Sequence, residues 1–162
     1  MSSVTINSNV DIVKLKLQGA INRAAEQIGG IIEGHAKELC HVDTGYLRNS
    51  ICHGRGGQYI QKHYSASKAD ENGEIRKGKC YVQLPSDDQY KRTAYVGTNV
   101  EYAPFVELGH AQQPGRFVPA IGKRLKADHV EAKPFLRPAW QDNMQEIGQA
   151  LHNEMVRAGV DA

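Results

Sequence analysis

"VDIVKLKLQGAINRAAEQIGGIIEGHAKEL", residues 10–39, is the longest stretch of the chain with a single periodicity. Val10, Val13, Leu17, Ile21, Ala24, Ile28, Ile31 and Leu39 recur at steps of three and four, or multiples of them. That spacing lines one side of an α-helix, so a helix is predicted over 10–39. Ser8 or Asn9 can cap its start. Gly19, Gly29, Gly30 and Gly34 each weaken it by roughly 1 kcal/mol relative to alanine. So many glycines predict a bend, or close packing against another backbone. The stripe reads as a core face, with a coiled-coil partner as the sharper alternative.

At 162 residues the chain has the size of one domain, 1–162, and can bury a core without metal or disulfide staples. Hydrophobic residues at 40% and charged residues at 23% suit a soluble globular protein. No apolar run approaches the roughly 20 residues of a membrane span. "MSSVTINSNVDIVK" has no basic segment leading into an apolar one, so no signal peptide is expected and an intracellular protein is. A formal net charge of +2 is too small to argue for nucleic acid by itself. Cys40, Cys52 and Cys80 are an odd set, which points to free thiols in a reducing compartment.

Downstream of the helix, residues 50–100 read as β-rich. "SICHG", "QYIQKHYSA", "KCYVQLP" and "TAYVGT" are short and carry β-branched and aromatic residues. Between the second and third lies polar "SKADENGEIRKG", whose Asn72-Gly73 is a tight-turn dipeptide. A projecting hairpin, a mobile arm over 54–80, is therefore expected. "EYAPFVELGH", 101–110, predicts a short helix with Glu101 near its start and Gly109 as its stop. Residues 110–131 show no sustained periodicity and read as a second loop. "KPFLRPAW" then opens the last helix, with Pro134 in its first turn and Pro138 tolerable only near the start. Leu136, Trp140, Met144, Ile147, Leu151 and Met155 continue it, and Gly159 ends it. The order predicts an α+β domain: a long N-terminal helix, a small antiparallel sheet with its arm, and a C-terminal helix packed on the sheet.

Several chemistries can be weighed. "HVDTGYLRNSI", 41–51, contains the Asp-Thr-Gly that carries the catalytic aspartate of aspartic proteases. Such a protease needs two aspartates sharing a site, hence a symmetric dimer here. A structural reading explains every letter. Asp43 or Thr44 caps a helical turn, Gly45 permits a tight backbone, and Leu47 and Ile51 go inward. Cys40-His41 and Cys52-His53 supply zinc-type ligands, but neither pair has knuckle spacing, and adjacent residues point apart. No Gly-x-Ser-x-Gly and no phosphate-cradling fingerprint occurs. No cofactor is expected.

Three segments stand in order: "VDTGYLRNSI" (42–51), "YVGTNVEYAPFVELG" (95–109) and "AKPFLRPAW" (132–140). Together they resemble the gene-product-ten-like family of HK-type lambdoid phages, the small neck and tail-completion proteins of long-tailed bacteriophages. The motifs cover about a fifth of the chain, and their order extends the match over most of it. The resemblance implies a non-enzymatic virion component at the head–tail junction or upper tail, made in the host cytoplasm. It implies an oligomeric, six-fold ring of copies of this chain around a channel through which DNA passes as cargo. Neighbouring rings would be neck or connector proteins and tail-tube or tail-terminator proteins, with no membrane involved. The motif residues it carries over are Asp43, Thr44, Gly45, Leu47, Arg48, Ser50, Gly97, Thr98, Tyr102, Ala103, Val106, Glu107, Gly109, Pro134, Phe135, Leu136, Arg137, Pro138 and Ala139. Their implied roles are folding and packing. The arm over 54–80 and the expanded 110–131 connection depart from a compact member.

A ring subunit needs a stable body and arms that clasp neighbours, which this order of elements can supply. Glu101, Glu107, Arg116, Lys133 and Arg137 are candidates for intersubunit pairs. The alternative function is a nucleic-acid-binding module whose contacts are Arg55, Lys62, Arg76, Lys77 and Lys79 in the arm.

Overall fold

The computed structural model describes residues 9–88, 91–119 and 122–159. Helix α1 spans Val10–Leu39, as its periodicity predicts. Asn9 stands at its N-cap without a side-chain bond, and its carbonyl accepts from Val13 N at 3.0 Å. Ser8 lies outside the described residues. The short helix α2, Tyr46–Ser50, follows, and then four strands: β1 Cys52–Arg55, β2 Tyr59–Ser65, β3 Lys77–Gln83 and β4 Ala94–Gly97. Strands β2 and β4 fall within the stretches expected to be β, whereas β1 runs on to Arg55 and β3 starts at Lys77, inside the segment read as a polar turn. Strands β1 and β4 pair antiparallel as one ribbon, and β2 and β3 as another.

The buried side of α1 differs from the predicted stripe. Ala20, Ala24, Ala25, Gly29, Ile32 and Ala36 are buried, whereas Val10, Val13 and Leu39 are 66%, 51% and 48% exposed. Small residues win because α1 is packed on two sides. Glu26, Gly29 and Glu33 face β1, and Arg23, Gln27 and His35 face the C-terminal helix. A Cβ on Gly29 would come within 2.8 Å of the His53 ring, so the close packing expected at the glycines is against a side chain. Gly34, by contrast, has open space around it.

The β2–β3 hairpin is tied to the body where β2 ends. Ser67 N and Lys68 N donate to Thr44 O at 2.7 and 3.1 Å, and Asn49 Nδ2 donates to Ser65 O at 2.8 Å. Residues 67–77 at its end are exposed, and Gly73 takes φ +81° in the turn.

Helix α3, Ala103–Leu108, ends at Gly109 as expected. Gly109 has φ +69°, and a Cβ there would sit 2.6 Å from Val130 O. The segment 110–131 is not a plain loop. Strands β5 His110–Ala111 and β8 His129–Val130 pair antiparallel, and inside them β6 Phe117–Val118 pairs with β7 Lys123–Arg124. Each ladder is two residues long, too short to leave an alternation in the sequence.

The C-terminal helix is present but broken in two, α4 Leu136–Gln141 and α5 Met144–Arg157, at Asp142 and Asn143. Its main partner is α1 rather than the sheet. Its inward side chains are Ala139, Ile147, Ala150 and Glu154, while Trp140, Met144 and Leu151 of the predicted stripe are 47%, 49% and 42% exposed. The core itself joins Ile32, Ala36, Tyr46, Leu47, Ile51, Val100, Ala103, Phe135, Ala139 and Ile147.

Candidate functional site

The three motif segments meet around that core. Gly45, at φ +81°, precedes α2, and a Cβ on it would lie 2.7 Å from Ser67 Oγ. The turn thus presses against the root of the hairpin tip. Thr44 contributes its carbonyl to that root, and Arg48 NH2 reaches Ser67 Oγ at 3.4 Å. The capping expected of Asp43 or Thr44 is slight: Thr44 Oγ1 accepts from Tyr46 N at 3.4 Å, and Gly45 itself is the N-cap residue. Leu47 and Ile51 are buried, as expected.

Ser50 links the first segment to the second. It is fully buried, its hydroxyl donates to Leu47 O at 2.6 Å, and its oxygen takes the Thr98 hydroxyl proton. Thr98 Oγ1 in turn accepts from Val100 N at 3.1 Å. Gly97 closes the β1–β4 ladder opposite Cys52. The Ser50 and Thr98 hydroxyls are thus both partnered, which offsets the desolvation penalty that their burial would impose.

Glu107 links the second segment to the third. Its Oε2 accepts from Phe135 N at 2.7 Å and Leu136 N at 3.0 Å, and its Oε1 from Arg137 N at 2.9 Å. A carboxylate at the start of α4 satisfies amides that no earlier turn of helix can. Burial pushes the Glu107 carboxyl upward. The three backbone N–H bonds and the Arg137 charge outweigh it and hold the group below its ordinary value. Glu107, a candidate for an intersubunit pair on sequence alone, is thus engaged by three amides of its own chain. Phe135 and Ala139 are fully buried beneath it, Ala103 is buried, and Val106 and Leu136 are half-buried. Pro134 and Arg137 are exposed, and Pro138 lies in the first turn of α4, where a proline is tolerated.

Asp43 is exposed and lies at a small cavity of about 170 Å³ with Tyr46, Tyr102 and Val106. Burial raises the Tyr102 phenol above its ordinary value. The three thiols are buried. Burial, together with the neighbouring Cys80 thiol, pushes Cys52 up to about 11. Among the described residues no group of three or more His, Cys, Asp or Glu is placed to hold a metal. Nor is any described helix long and apolar enough to cross a membrane.

The five basic arm residues do not form one patch. Arg55 Nε lies 3.4 Å from Glu26, and Lys62 turns inward, donates to Ile51 O and lies 3.5 Å from Glu33. Arg76 sits over the Tyr46 ring at 4.3 Å. Lys77 and Lys79 remain on the exposed side of β3. The difference follows from strand alternation, which sends Lys62 to the side opposite its neighbours.

One polar cluster carries no sequence signal. Glu154, 1% exposed, accepts from Arg23 Nε at 2.7 Å, Gln27 Nε2 at 3.1 Å and Arg157 NH1 at 2.6 Å. It fastens α5 to α1 across 131 positions of sequence. Comparison with protein-family models, curated proteins and solved structures finds no match for this chain.

Proposed function

We propose that the protein is a non-enzymatic component of a phage virion, a neck or tail-completion subunit that joins a tail to a DNA-filled head as part of a ring of its own copies. The observation that carries this reading is the meeting of the three motif segments. Ser50 on Thr98, and Glu107 on the start of α4, bond each segment to the next. Surface composition supports association as well: Ile12, Val13 and Leu15 near the start of α1, and Trp140, Met144 and Leu151 along α4 and α5, are large apolar side chains in solvent. Exposed apolar side chains of this size are ones that a neighbouring copy could cover.

The test is an early stop codon in this gene within its source phage, followed by electron microscopy of the lysate. Filled heads beside unattached or malformed tails, rescued by a supplied copy, are expected. Normal joined virions would remove the assembly role.

A further inference from the structure

We infer that the outer face of the β2–β3 hairpin binds a single-stranded nucleic-acid segment, with phosphates on Lys77 and Lys79 and a base on Tyr81. The inference stands apart from the virion reading and does not need it. It begins with the register of the ribbon. Tyr59 pairs with Gln83, Gln61 with Tyr81, His63 with Lys79 and Ser65 with Lys77. These eight side chains share one face, because alternate residues of a strand point the same way. All eight are exposed. None is a carboxylate, whereas two are lysines, one is a histidine and two are tyrosines. The carboxylates of the hairpin, Asp70, Glu71 and Glu74, are confined to the tip, and Asp70 Oδ1 is already engaged by Asn72 N and Glu74 N.

The geometry of that face fits a sugar-phosphate chain. Lys77 and Lys79 are two residues apart on one strand, so their Cα atoms are separated by about 6.8 Å. Successive phosphates along a nucleic-acid strand are similarly spaced. A surface trough of about 530 Å³ lies at this end of the ribbon, lined by both lysines with His63, Tyr64, Ser65 and Gly78. Gly78, between the two lysines, turns to the other side of the ribbon, where a Cβ would meet Tyr46 and Tyr64. The next same-face residue along β3 is Tyr81, 44% exposed. Its hydroxyl bonds to His63 Nε2, and the His63 ring meets it edge-on at 5.5 Å. The phenol is thus held in place while part of its surface stays open. Lys79 Nζ lies 5.6 Å from the centre of the same ring. Cations that follow a backbone beside an aromatic that stacks a base are the recurring parts of single-strand sites. An acidic polypeptide would use the lysines and leave Tyr81 without a role.

The test uses the full chain and a fluorescent oligothymidylate, with anisotropy measured across a salt series. For single strands, log K falls with log salt at a slope of about −0.7 per phosphate contact. The double variant Lys77→Gln/Lys79→Gln should therefore weaken binding and flatten the slope by about 1.4. Tyr81→Leu should weaken binding roughly five-fold or more and leave the slope unchanged, since stacking releases no counterions. Lys14→Gln/Lys16→Gln, with the same change of net charge on α1, should alter neither. All five positions are exposed, so thermal melts should match wild type. Absence of binding at low salt overturns the inference. So does equal loss from the α1 control, or indifference to Tyr81→Leu, which leaves only a charge contact that duplex DNA or polyglutamate would satisfy equally.

Discussion

The motif junction and the outer flank of the C-terminal helices are built to opposite rules. At the junction, polar groups are buried and answered: Ser50 by Leu47 and Thr98, Glu107 by three amides. On the flank, Trp140, Met144 and Leu151 are apolar and left in water. The difference teaches which residues hold the fold and which face outward. A residue type alone does not say this, because polar Ser50 is buried and apolar Leu151 is exposed.

The largest expected effect is at Phe135, the N-cap residue of α4, which is fully buried in the core. Phe135→Ala should cost about 3–5 kcal/mol, the range for an emptied aromatic site in a packed core. Leu151→Asp, at a large apolar residue that is 42% exposed, should cost much less, about 1 kcal/mol from lost partial burial and helix propensity. It should instead lower the oligomer fraction in sedimentation if neighbours cover that flank. Chemical denaturation of the two variants tests the contrast directly. Similar losses in both would mean that the flank is part of the fold.

The legibility of the sequence divides along the same line. Helix α1 was readable end to end because 30 residues give the helical period many repeats. Its inward side was not, since hydropathy favours Val10, Val13 and Leu39, while close packing on two sides selects Ala20, Ala24, Gly29 and Ala36. Strands β2 and β3 were readable because seven residues can hold a cluster of β-branched and aromatic side chains, whereas the two-residue ladders of β5 to β8 hold too few. The break between α4 and α5 was hidden because the apolar spacing continues through Asp142 and Asn143. Of the motif set, the turn at Gly45 and the stop at Gly109 were legible from glycine alone. The Ser50–Thr98 and Glu107–α4 bonds were not, because their partners are far apart in sequence and any exposed Ser or Glu would read the same. Glu154 was invisible for a related reason: its partners Arg23 and Gln27 lie at the other end of the chain.

A smaller effect sharpens the junction's side of the contrast. Glu107→Gln keeps the size of the side chain and removes its charge. It should cost about 1–2 kcal/mol, as expected for losing charge-assisted bonds to helix-start amides. The pH sense is fixed by the direction of the shift. The folded-state group titrates below its ordinary value of 4.5, so its contribution is present above that value and is lost as pH falls through the folded-state pKa. The gap between wild type and Glu107→Gln in denaturation midpoint should therefore close on acidification. A gap that persists with the group protonated would show that shape, not charge, secures α4.

The smallest effect separates two ties that hold the same pair of helices. Glu154 fastens α1 to α5 from a buried position, and His35 does so from the surface, its Nε2 lying 2.8 Å from Glu146. The Arg23 hydrogen bond, with the Arg157 and Arg23 charges, outweighs burial and holds the Glu154 carboxyl below 4.5. Its contribution is lost only as acid reaches the folded-state pKa. For His35, the Glu146 bond together with the charges of Glu146 and Glu38 outweighs desolvation and raises the imidazole above 6.5. A raised value reverses the sense: this contribution is full below 6.5, the ordinary value, and fades as pH rises through the folded-state pKa. His35→Gln should thus lower the denaturation midpoint slightly in mild acid and leave it unchanged in alkali, a difference that high salt should shrink. A His35→Gln deficit equal at both ends of the pH range would assign the seam to packing and to Glu154 alone, leaving the surface tie without a share in stability.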